Sequence, residues 1–110
     1  MARISSSRTR QLARHLYALL VDAEAHGVEE RIDGQRYPLI VFARAQDRDS
    51  ARSSVADFLV GRGWLKAIVR GTKRVGSDLS GLADPILDEA AALAAATGYA
   101  IVADDEPITN

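Results

Sequence analysis

The chain predicts an α+β fold, an α/β sandwich of three helices and about four strands in one domain. Three observations carry that expectation. From residue 36 to residue 106 the apolar spacing alternates between the strand period of two and the helix period of 3.6. The changes of period coincide with breakers, namely Gly61-Arg62-Gly63, Gly71, Asp84-Pro85 and Gly98. At 110 residues, 47% of them hydrophobic, the chain is long enough for one core without staples. It holds no Cys, so disulfides and thiolate chemistry are excluded.

The first element reads as a helix. Ser7 is a plausible N-cap, and Leu12, Leu16, Leu19, Leu20 and Ala23 recur on one helical face. Gly27 is its expected left-handed stop, with His26 at the negative end of the dipole. Arg8, Arg10 and Arg14 lie largely off the apolar face. Residues 28–32, Asp33-Gly34 and residues 35–43 then read as a hairpin, because Asp-Gly suits a type I′ turn. Its first arm, with Glu29, Glu30 and Arg31, is short and charged like an edge strand. Its second arm, residues 37–43, is apolar on both faces and reads as a central strand.

Asp47, Asp49 or Ser50 caps the second helix, with Ala51, Val55, Phe58 and Leu59 as its buried stripe. Trp64 opens a strand in which Leu65, Ala67 and Val69 alternate with Lys66, Ile68 and Arg70. Gly71 marks either a bulge or a turn; a turn would make residues 73–75 a further short strand. Residues 76–81 read as a loop. Asp84-Pro85 starts a third helix, an acid cap followed by Pro at the first helical position, and Gly98 ends it. Residues 99–103 form the last strand. Residues 1–7 and 105–110 are expected to be flexible. After the N-terminal helix, the order β-α-β-(β)-α-β resembles the ferredoxin-like split βαβ arrangement, in element order alone.

Charge is distributed unevenly. The formal sum is +4 over residues 1–20, +2 over residues 21–74 and −7 over residues 75–110. An asymmetry of this kind suits a surface with one basic and one acidic face, for a partner or for a head-to-tail copy. No apolar run approaches the roughly 20 residues that span a bilayer. Arg10, Arg14 and His15 interrupt any apolar signal region, and a mitochondrial-type presequence matches residues 1–20 only loosely. The expectation is a cytoplasmic protein with no membrane partner.

No catalytic, cofactor-binding or metal-ligating residues can be named. On one helix, His15 and His26 would lie roughly 16 Å apart, too far to share a metal. Glu29-Glu30 and Asp88-Glu89 are explained by strand alternation and by helix-dipole placement. No Ser sits in a nucleophile elbow, and the glycines lack phosphate-loop spacing. The candidate interaction surface is a basic ribbon, Arg62, Trp64, Lys66, Arg70, Lys73 and Arg74, together with the acidic group Asp104, Asp105 and Glu106.

The leading expectation is a small non-catalytic protein-interaction module, either homodimeric or neutralising a partner protein. The alternative is a nucleic-acid-binding domain that uses the basic ribbon for phosphates and Trp64 for stacking. A small enzyme with an unrecognised site is the third reading.

Overall fold

A computed structural model describes residues 15–75 and 84–108. The element order is β1 (His15–Ala25), β2 (Arg36–Ala45), α1 (Arg48–Val60), β3 (Trp64–Val75), α2 (Pro85–Thr97) and β4 (Tyr99–Ala103). The strands form one sheet in the order β3-β1-β2-β4, antiparallel at every pairing. The fold is therefore α+β.

β1 corrects the first expectation. Residues 15–25 are a strand and not the body of a helix. Tyr17, Leu19, Val21, Ala23 and Ala25 are all buried, and their period of two puts them on one sheet face. The helical spacing of Leu16, Leu19, Leu20 and Ala23 coexists with that alternation. Pairing with strands on both sides decides between the two. The expected cap at Ser7 and the loop at residues 76–81 lie outside the described residues.

The hairpin is also corrected. β2 pairs with β1, not with residues 28–32, which belong to the irregular connection between them. Asp33 closes that connection by accepting from Gly27 N at 2.8 Å, and Gly34 N donates to Ala25 O at 2.8 Å. The Asp-Gly pair does turn the chain, but it joins β1 to β2 through a ten-residue loop. Gly27 ends a strand here, not a helix.

β2 is central, as its apolar sequence suggests. Tyr37, Leu39, Val41 and Ala43 are buried on one face and Phe42 on the other. α1 covers the first face with Ala51, Val55 and Leu59, under Asp47 as N-cap, whose carboxylate accepts from Ser50 N at 2.8 Å. α2 packs on the opposite face, chiefly over β2 and β4, with Ala91 and Ala94 against Phe42 and Ala100. Its start is the Asp84 cap and Pro85, and Asp84 accepts from Ile86 N at 2.8 Å.

Placing the helices on opposite faces departs from the ferredoxin-like expectation, as does the β-β-α-β-α-β order. Two helices, not three, are present among the described residues. Gly71 is not a turn, because β3 runs unbroken to Val75. The extra residue is Arg70. Leu20 pairs with Gly71 and Val21 with Val69, so Arg70 has no partner opposite it, which is a β-bulge. A second irregularity lies at Lys66 and Ala67, where Lys66 adopts φ 53°.

Candidate interaction surface

The sheet order separates the two charged groups picked from sequence. β3 carries Lys66, Arg70, Lys73 and Arg74 at one edge of the sheet. β4 is the opposite edge, and Asp104, Asp105 and Glu106 follow it directly. All three acids are exposed. Asp104 N donates to Pro38 O at 3.0 Å and Ile108 N to Arg36 O at 2.7 Å. The acidic bend thus bulges outward between two anchors on β2. Arg31 steadies it, donating to Ala103 O at 3.2 Å and to the Asp105 carboxylate at 3.4 Å.

The basic ribbon is not one face. Lys73 lies opposite Ala18 and shares the α2 side of the sheet, whereas Arg74 lies opposite Tyr17 on the α1 side. Arg62 sits over the Phe58 ring at 3.9 Å from its centroid. Lys66 is 3.8 Å from Glu24 yet its side chain remains 73% exposed. Trp64 is 3% exposed and packs edge-on against Tyr37, so its ring lies in the core beneath the ribbon. The structure brings Lys66 and Arg70 close to β1 carboxylates and leaves Lys73 and Arg74 extended along the edge.

Arg70 leads to residues that the sequence did not single out. Asp22, on β1, is buried on the side of the sheet away from α1, where an isolated carboxylate would be costly. Arg36 from β2 donates to its Oδ1 at 2.8 Å, and Arg70 from β3 donates to its Oδ2 through Nε at 3.1 Å and a terminal nitrogen at 2.8 Å. Arg36 also reaches Asp22 O and Lys66 O, both at 3.0 Å. The left-handed turn at Lys66 and the bulge at Arg70 thus serve one cluster. Burial acts to raise the Asp22 pKa, but the hydrogen bonds and charges of the two guanidiniums outweigh it and hold the carboxyl below its ordinary value. Glu24 is likewise lowered, first by its hydrogen bond with His26, with desolvation opposing and Lys66 assisting. No sequence motif marks Asp22; the available signal was a pair of acids, Asp22 and Glu24, that continue the face begun by Leu16, Ala18 and Leu20.

The two histidines are at opposite ends of β1 rather than on a helix. His15 opens the strand, and His26 follows it and bonds Glu24 at 2.6 Å. Beside the ion cluster, between the start of α2 and the sheet, lies a groove of about 480 Å3 among the described residues. Leu20, Ile40, Leu87 and Val102 form its apolar wall, and both Arg70 and Asp104 border it. Leu20 is 55% exposed there. Among the described residues no three His, Asp or Glu side chains converge as metal ligands, and no helix is long and apolar enough to cross a membrane. Comparison with protein families, with characterised proteins and with solved structures finds no match for this chain.

Proposed function

We propose that the protein is an interaction module that docks a protein partner along the free edge of β3, by addition of an acidic strand. One observation carries this reading. β3 is a twelve-residue strand at the edge of the sheet, with only β1 beside it among the described residues, and Lys66, Arg70 and Lys73 border it on the side away from α1 while Arg74 borders it on the other. An added strand meets the side chains of its neighbour, and one with acids on a single face would meet Lys66, Arg70 and Lys73 together. Main-chain pairing supplies affinity in such docking, and the flanking side chains supply choice of partner.

Bulges and cations are also how proteins keep sheet edges from pairing indiscriminately. The two roles agree. A row of Lys and Arg repels a second β3 and accepts an acidic strand, so the features that prevent one association select another. The nucleic-acid alternative loses its stacking platform with the burial of Trp64.

The test is titration with a synthetic peptide of alternating Val and Glu, followed by calorimetry at low and high salt. Binding that weakens with salt and is lost in the Lys66→Glu/Lys73→Glu variant is the expected result. Arg70 is left intact because it holds Asp22. An absence of both peptide binding and self-association at low salt would sink the reading. Binding to mixed-sequence RNA with a steep salt dependence would replace it with the nucleic-acid one.

A further inference from the structure

We infer that the strand received by β3 is β4 of a second copy of this chain, with the acidic bend that follows it, so that copies add head to tail into one continuous sheet. This rests on the docking role of β3. It names the partner.

The sheet is antiparallel throughout in the order β3-β1-β2-β4, so its two edge strands run in opposite directions. A copy displaced sideways, and turned about that direction only by the twist the sheet accumulates, brings its β4 beside β3 with antiparallel polarity. The pairing pattern of the sheet then continues across the boundary, with α1 of every copy on the same face.

Charge follows the same displacement. The cross-strand register places Ala103 level with Leu39, Leu39 with Val21, and Val21 with Val69. One step further, Pro38 is level with Asp22 and Ile68. The bend that holds Asp104, Asp105 and Glu106 is anchored to Pro38 and Arg36. In a sideways copy it therefore arrives beside the stretch of β3 that carries Lys66 and Arg70. Those two side chains are 73% and 62% exposed despite their bonds within the chain. Each molecule thus carries both halves of a complementary pair, at opposite edges of one sheet. Arg31 already occupies Ala103 O, which bounds the pairing at the end of β4.

A contact of this kind is heterologous: it joins different patches and leaves each end free, so assembly continues past the dimer. A contact between two β3 edges would be isologous and would stop at two, with like charges facing each other.

Light scattering and sedimentation at low salt distinguish these cases. Wild-type protein is expected to exceed twice the monomer mass, to grow with concentration and to dissociate in high salt. Lys66→Glu/Lys73→Glu and Asp105→Lys/Glu106→Lys should each be monomeric, because the first cancels the positive charge of the β3 edge and the second makes the β4 edge positive like β3. An equimolar mixture of the two variants should associate again at least as a heterodimer, since the unmutated β4 of one meets the unmutated β3 of the other. Wild-type protein that halts at the dimer would identify a β3-to-β3 contact, and a mixture that stays monomeric would remove the head-to-tail one; either overturns the inference. Wild-type protein that stays monomeric at low salt, or assembles regardless of salt, would overturn it as well. If monomeric protein still binds the Val-Glu peptide, β3 remains a docking edge and only the identity of its partner is wrong.

Discussion

Arg70 grips Asp22 with two nitrogens, Nε at 3.1 Å and a terminal nitrogen at 2.8 Å, across the boundary between β3 and β1. The bond exists because Arg70 is the one residue that the bulge leaves without an opposite number on β1. Its backbone is freed from the local register, and its side chain turns back over the neighbouring strand. Asp22 in turn gathers Arg36 and, through it, the Lys66 carbonyl. Three strands are thereby pinned at one point.

Removal of the carboxylate is expected to be expensive. Asp22→Ala leaves two guanidiniums unpaired over a buried position and should cost about 2 to 4 kcal/mol. Arg70→Ala should cost about 1 kcal/mol, because that side chain is largely exposed and Arg36 still compensates Asp22. Urea unfolding of the two single variants and the double variant measures the coupling, which should exceed about 0.5 kcal/mol. Equal and additive costs would mean that the cluster is not a unit.

The same cluster makes stability depend on acid. The Asp22 pKa is lowered in the folded protein and ordinary in the unfolded chain. Its contribution is therefore complete above the ordinary carboxylate range and is lost as the pH falls through the lowered value. Denaturant midpoints measured below about pH 4 should drop less steeply for Asp22→Asn than for wild type. Parallel profiles would assign the acid sensitivity elsewhere.

Gly63 cannot be replaced without strain. Its φ is 87°, and a Cβ there would stand 2.5 Å from His26 O. Gly63 O also accepts from His26 N at 2.8 Å, which ties the α1–β3 corner to the end of β1. Gly63→Ala should destabilise by about 1 to 3 kcal/mol from the backbone conformation alone. A melting temperature unchanged from wild type would contradict this geometry.

α2 depends on small residues. Ala91 and Ala94 are fully buried, which lets the helix axis approach Phe42 closely. Ala91→Leu adds volume where none is free and should cost about 1 to 3 kcal/mol, while Ala92→Leu, at an exposed position of the same helix, should cost far less. Thermal melts of the pair test which face of α2 meets the sheet.

The residue sequence by itself determined the elements whose signals were local. Asp47 and Asp84 offered oxygens to free backbone N–H groups, Gly98 offered a stop, and residues 37–43 had no polar face to show to water. α1, α2, β2 and β4 follow from those facts without reference to the rest of the chain. β1 does not. Its Leu and Ala residues satisfy the helical spacing and the strand alternation together, and only the presence of β2 and β3 on either side gives its backbone groups inter-strand partners. The mistaken hairpin has the same origin, because Asp33-Gly34 specifies a reversal but not which strand lies beyond it. The candidate surface divides in the same way. The cations and acids were visible as runs, yet their placement at opposite edges depends on strand order. The Asp22–Arg36–Arg70 cluster depends on a bulge that brings three strands into register. Those are properties of long-range pairing, and a linear pattern carries no record of them.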